Sequence, residues 1–431
     1  MSLDRREVLG LGLAVAAASR TAQAAPPDFL WGAATAGHQV EGNNINADIW
    51  LLEQVQPTVF AEPSGDACDS LHRWRDDIDI VKALGLNCYR FSIEWSRIEP
   101  AKGQFSQAYL DHYARMADYC GERGLAAVVT FSHFTTPRWF AAEGGWENPE
   151  SPKLFARFCE RAGGALAARI SHALTFNEPN LALGERWSAA PPPDAFRARM
   201  AACIAAAARA SGSTRFSLLM GGEDPRPMIP NVVAAHQLAR AAIKSSRSTL
   251  PVGLSLAMPD EVALVPDSAL ERKRADVYGP FLAAAAHDDF IGVQVYGRDY
   301  VGRDRSVPGP ADIERRSNGK EWFPSAVGNV VRHVHQVTGK PVLVTENGID
   351  AEDDAERARF IPEAVRSVLA ARDVGVPVFG YIHWSLLDNF EWLSGYGPRY
   401  GLVAVDRRTF KRTPKPSAEV LGRIARAGRV A

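Results

Sequence analysis

Two short polar clusters each close a run of apolar residues. Thr175-Phe176-Asn177-Glu178-Pro179 ends one run, and Thr345-Glu346-Asn347-Gly348 ends another. Each places a glutamate at the rim of a stretch with strand character. Two carboxyl groups flanking one bond can divide the work of cleaving a glycosidic linkage. One stays protonated and assists the leaving oxygen; the other stays ionised and attacks the anomeric carbon. Like charges held close together push two acid constants apart, so one site can keep both states. Either tripeptide alone reads equally well as a helix cap or a turn. Only elements that bring the two together give them meaning.

Those elements are legible. Strands are expected near residues 29–35, 88–93, 126–132, 172–178, 252–256, 289–296, 342–347 and 378–386. They are rich in Val, Ile, Phe and Tyr, and mostly continuous in apolar character, as parallel strands buried on both faces are. Helical patterns fill the gaps, among them 71–84, 109–123, 354–372 and 417–427. Gly85, Gly124 and Gly375 stand where a helix should stop and turn. Eight strands alternating with helices predict an α/β fold, a (β/α)8 TIM barrel with long βα loops over residues 25–431. A dinucleotide-binding open sheet would need a glycine fingerprint after its first strand. Gly32-Ala33-Ala34-Thr35-Ala36-Gly37 has neither the spacing nor a following helix. In a barrel the chemistry lies at the C-terminal ends of the strands, and Glu178 and Glu346 would then face each other from strands four and seven. Residues 183–230 read as a βα loop plus a helix; 299–319 and 387–412 read as long loops.

Composition narrows the function classes. Among 431 residues, 49 Lys plus Arg balance 50 Asp plus Glu, a net charge of -1. That balance leaves no electrostatic footprint for nucleic acid or an anionic membrane. The five cysteines show no metal-ligand spacing and are odd in number, so buried free thiols are expected rather than a disulfide framework. At the N-terminus, Arg5-Arg6 precede an apolar run over residues 8–18 and then Ala22-Gln23-Ala24. This pattern predicts a twin-arginine export signal over residues 1–24, a periplasmic destination and no membrane span in the mature chain.

Further motifs occur in order along the chain. They are Phe29-Leu30-Trp31-Gly32-Ala33-Ala34-Thr35, Gln39-Val40-Glu41-Gly42 and Tyr89-Arg90-Phe91-Ser92-Ile93-Glu94-Trp95-Ser96-Arg97. The two glutamate clusters follow, with Asp289-Phe290-Ile291-Gly292 between them. The series closes with Trp384 through Trp392 and Arg399-Tyr400-Gly401-Leu402. Together they resemble glycoside hydrolase family 1 over nearly all of residues 29–420. The resemblance implies a retaining β-glycosidase of β-glucosidase type, acting on a small β-glycoside or oligosaccharide without metal or organic cofactor. It implies Glu178 as acid/base and Glu346 as nucleophile. Asn177 matches the residue that bonds the sugar 2-hydroxyl. Gln39, His133, Glu391 and Trp392 match residues that bind the other hydroxyls, and Trp384 matches the platform beneath the sugar. Arg90 and Tyr296 match the groups that hydrogen-bond the nucleophile.

The chain also departs from the family pattern. Gln294 stands where Asn is usual, at a position expected on the leaving-group side. Phe134 stands for Trp and Tyr400 for Phe, and the loops at 180–190 and 257–285 lack the usual elements. Two rival readings keep the same barrel: a transglycosidase, and a sugar-binding barrel without activity. A phosphorylated substrate is disfavoured, because Glu391 would repel a phosphate.

Overall fold

The computed structural model describes residues 29–220 and 224–430. The expected export signal lies outside these residues. Eight parallel strands close into a barrel: β1 Leu30–Ala34, β2 Cys88–Ser92, β3 Ala126–Ser132, β4 His172–Asn177, β5 Val252–Ala257, β6 Phe290–Val295, β7 Val342–Asn347 and β8 Val378–Trp384. Each pairs with its sequence neighbours, and β8 returns to pair with β1. The strands expected from apolar continuity are therefore all present, and the fold is a (β/α)8 barrel.

Helices surround it: α1 Ser70–Ala83, α2 Gln107–Glu122, α3 Ser151–Leu166, α4 Ile229–Ser246, α5 Leu270–Val277, α6 Ala326–Thr338, α7 Asp354–Asp373 and α8 Pro416–Ala427. Ser106 caps α2 by accepting the Tyr109 amide, and Asp353 caps α7 through Ala355. Gly85, Gly124 and Gly375 have φ of 84°, 66° and 92°, the left-handed geometry that ends α1, α2 and α7.

Two apolar layers result. Leu30, Cys88, Val128, Leu174, Phe290, Leu343 and Ile382 fill the barrel interior. The opposite strand faces pack on the helices in a larger cluster that includes Phe91, Val129, Phe155, Val293 and Val344. A smaller core ties four loops together above the barrel, Ala141 coming from the third. In it Ile49 and Leu52 from the first βα loop meet Cys203, Ala207 and Phe216 from the fourth and Phe390 from the eighth. Residues 183–230 do contain the expected helix, Asp194–Ala210, which supplies Cys203 and Ala207.

The two segments expected as plain loops are more ordered than that. Arg298–Val301 and Ser306–Val307 form a three-stranded sheet with Asp260–Ala263. Val403–Val405 pairs with Arg412–Pro414. These strands are only two to four residues long, so period-2 alternation is too brief to register in the sequence. All five cysteines are buried and free.

Candidate active site

Every residue singled out from the sequence lies at the C-terminal end of the barrel or in a loop above it. Arg90 projects from β2. Asn177 ends β4 and Glu178 follows it. Gln294 lies on β6, with Tyr296 just beyond. Glu346 lies at the end of β7, and Trp384 ends β8.

Glu346 is held from two sides. Arg90 donates from Nη1 to Oε1 at 2.6 Å, and the Tyr296 hydroxyl donates to Oε2 at 2.6 Å. Arg90 is itself pinned, with Nε on Thr130 Oγ1 and a second Nη1 contact on the Thr345 carbonyl. Burial pushes the Glu346 carboxyl above its ordinary value, and the Arg90 charge and the Tyr296 hydrogen bond offset only part of that rise. Tyr296 holds its own proton firmly, because burial and the Glu346 charge raise its phenol. One flank of its ring opens to the barrel mouth, at 39% exposure, and its edge meets Tyr400.

Glu178 has no such partners. Burial first, and the Glu346 charge second, hold its carboxyl well above the usual range. The two glutamates thus sit in opposite surroundings: one braced by a guanidinium and a phenol, the other kept protonated by burial first and by the charge of its neighbour second. The Glu178 backbone lies at φ +45°, and its amide bonds the Ser255 carbonyl at 2.9 Å. Phe134 and Trp392, also at the mouth, have positive φ as well. Left-handed non-glycine backbone is costly and concentrates at sites of function.

Polar atoms without a partner among the described residues converge here. Gln39 donates to Asn389 Oδ1 and the Phe390 carbonyl, which leaves its Oε1 free. Asn177 Nδ2, His133 Nδ1, Gln294 Oε1 and Glu391 Oε1 are likewise buried and unpaired. Buried polar atoms rarely stay unpaired, so this set suits a ligand bearing several hydroxyls. His133 is neutral, since burial and the Arg90 charge push its pKa well down. Burial pushes the Glu391 carboxyl up to about 8. His133 stacks on Trp384 at 5.6 Å and 17°, and on Trp392 at 6.3 Å and 15°. Trp392 stacks in turn on His38 at 5.7 Å and 4°. The substituted Phe134 meets Trp392 edge-on at 5.5 Å.

Gln294, which departs from the usual Asn, is buried on the barrel wall and donates to Asn177 Oδ1 at 2.6 Å. Its Cα is in register with Glu346 of β7, which draws its side chain to the nucleophile's neighbourhood. Two supporting residues escaped the sequence reading. Thr130 is a polar residue inside the apolar run of β3, which was its available signal. Asn389 lies within the Trp384–Trp392 motif, but nothing in its type shows that it orients Gln39.

The model of the glycosyl hydrolase family 1 matches residues 21–217 and 298–429. β-Glucosidase A of Thermotoga maritima is 30% identical over 91% of this chain and 95% of its own length. A β-glucosidase of an Agrobacterium species is 29% identical over 93% and 95%. Among solved structures, the apo form of β-glucosidase 1317 superposes with a TM-score of 0.89 at 46% identity, over 93% of this chain and 99% of that one. The β-glycosidase BGL167 gives 0.86 at 44%, over 94% and 98%.

Proposed function

The chain belongs to glycosyl hydrolase family 1 and is a β-glycosidase, and from that premise we propose that it is a retaining β-glucosidase working through Glu346 and Glu178. The observation that carries this reading is the contrast between the two carboxyl groups. Glu346, gripped by Arg90 and Tyr296, is the one suited to ionise and attack the anomeric carbon. Glu178, raised by burial and by the Glu346 charge, is the one suited to deliver a proton to the leaving oxygen.

The cycle has two displacements. Attack by Glu346 forms a covalent glycosyl ester while Glu178 protonates the departing oxygen. Once Glu178 is ionised, it takes a proton from water, which attacks the ester and releases the sugar with its β configuration retained. The unpaired atoms of Gln39, Asn177, His133 and Glu391 would meet the sugar hydroxyls, over the ring of Trp384. The names of the relatives support glucose as the sugar. A bell-shaped pH profile follows from a coupled carboxyl pair.

The test is a panel of p-nitrophenyl β-glycosides, read for the parent enzyme and for Glu346→Ala with and without azide. The variant should lose on the order of 10⁴-fold or more in kcat, as removal of a covalent nucleophile does elsewhere. Azide should restore turnover and yield an α-glycosyl azide. An azide product of β configuration, or full activity in the variant, would exclude Glu346 as nucleophile.

We also propose that residues 1–24 direct export through the twin-arginine route to the periplasm. Arg5-Arg6, the apolar run and Ala22-Gln23-Ala24 support that reading.

A further inference from the structure

A buried lysine on α5 has no part in the chemistry above. Lys273 is 2% exposed, and oxygens of three residues surround its ammonium group. Nζ lies 2.8 Å from Glu261 Oε1 and 3.2 Å from Ser306 Oγ, and it pairs with Asp299 Oδ2. These acceptors are shared further. The Tyr278 hydroxyl donates to Glu261 Oε1 at 2.8 Å, Arg274 Nε lies 3.3 Å from Glu261 Oε2, and Ser306 Oγ donates to Asp299 Oδ2 at 2.6 Å. Two cations thus balance two carboxylates around a centre shielded from water. Such a cluster adds little stability over apolar packing of the same shape. What it supplies is a fixed register between the segments it joins. Glu261 lies on the strand Asp260–Ala263, and Asp299 on Arg298–Val301, which pairs with it.

Asp299 links this cluster to the site. It follows Tyr296 by three residues, and Tyr296 stands just past the end of β6, beyond the barrel's own pairing. Gly297 between them has φ +155°, and one flank of the Tyr296 ring is open. Neither backbone type nor packing confines Tyr296 fully, so the aim of its hydroxyl depends on where the next residues are held. The Asp260 amide bonds the Gly297 carbonyl at 2.9 Å, and the Lys273 cluster grips Asp299 two residues further on. We propose that Lys273 is a positioning residue for the nucleophile: through Asp299 it holds the Tyr296 hydroxyl on Glu346. This rests on the reading of Glu346 as nucleophile. The charged and titratable groups that face Glu346 are Arg90, Tyr296, Glu178 and Glu391. Of these, Tyr296 alone lies within three residues of a Lys273 partner.

The experiment follows kcat/KM on a p-nitrophenyl β-glucoside against pH, for the parent, Lys273→Met, Tyr296→Phe and the double variant. The acid limb of that profile reports ionisation of the carboxyl pair in the free enzyme. Tyr296→Phe withdraws a hydrogen bond from the Glu346 carboxylate, so the limb should move up by about 0.5 to 1 pH unit, the worth of one such bond. Lys273→Met should move it the same way, and should add nothing in the double variant, where the hydroxyl is already gone. Asp299→Asn keeps the shape and removes one charge; it carries the same expectation should the methionine variant not fold. A lower melting temperature with an unmoved limb would make the cluster merely structural. A shift that persists at full size on top of Tyr296→Phe would mean that Lys273 acts by another route, and an unmoved limb in Tyr296→Phe would leave the cluster nothing to hold. Each of these overturns the proposal. Full activity in Glu346→Ala would overturn the nucleophile reading instead, and this one with it.

Discussion

Glu178 combines a left-handed backbone with a carboxyl kept from ionising. The backbone strain alone costs on the order of 1–3 kcal/mol. The carboxyl adds a pH-dependent penalty whose sign follows from its raised folded pKa. Below the ordinary carboxyl range both folded and unfolded chains keep the proton, and nothing is lost. As pH rises, the unfolded chain ionises first, so stability falls until the folded group ionises too. Glu178→Gln removes this penalty. It should melt with the parent near about pH 4 and melt a few degrees higher at neutral pH. Its turnover of glycosides with poor leaving groups should drop by about 10²- to 10⁴-fold. Thermal unfolding at the two pH values decides: a variant less stable than the parent at neutral pH would mean that the ionised carboxylate supports the fold. The two glutamates were readable because polar residues at the ends of apolar strands are conspicuous, whereas Arg90 and Tyr296 were legible only through the family resemblance. The partner of Gln294 was not, since hydrogen-bond pairing across a barrel leaves no trace in residue order.

The strands carry the part of the site that sequence hid most completely. Side chains alternate with a period of two, so Cys88 and Arg90, Val128 and Thr130, Phe290 and Gln294, and Ile382 and Trp384 all share the inner face. Leu174 to Asn177 and Leu343 to Glu346 are odd steps. Strict alternation from Leu174 would turn Asn177 outward, and from Leu343 it would turn Glu346 outward. The pairing instead slips between Leu174 and Asn177 against β5, and between Val344 and Glu346 against β6. Such irregularities re-aim a side chain, and both occur just before a glutamate cluster. Apolar continuity reveals that a strand exists but is blind to this slip, because residues on both faces are buried.

The helices show a similar dependence on context. Gly328 sits on α6, where an added Cβ would lie 2.4 Å from the Ser367 carbonyl oxygen of α7. On an open helix, glycine to alanine stabilises by about 1 kcal/mol. Gly328→Ala should do the reverse and cost roughly 1–3 kcal/mol, visible as a lower denaturation midpoint in urea. A raised midpoint would mean that α6 and α7 can part without loss.

At the scale of the whole molecule, the barrel wall and the loops above it contribute differently. Arg90, Asn177, Gln294 and Glu346 stand on strands, fixed by the closure of the sheet. Gln39, Glu391 and Trp392 stand on loops, joined by the small core of Ile49, Leu52, Ala207 and Phe390. The proposed export also concerns the molecule as a unit, since the twin-arginine route carries folded chains. Five buried free thiols need no oxidant to fold, and burial lifts Cys68 to about 12, far from thiolate chemistry. Replacing Arg5-Arg6 by Lys-Lys should leave the enzyme active and move that activity from the periplasmic to the cytoplasmic fraction of a bacterial host. Unchanged partition would assign residues 1–24 another purpose.

The division between wall and loops has a consequence for descent. A lineage that inherits the wall keeps its way of breaking the bond. Insertion, trimming or exchange of the overlying segments then tries out new leaving groups one at a time, with the cutting edge never redrawn.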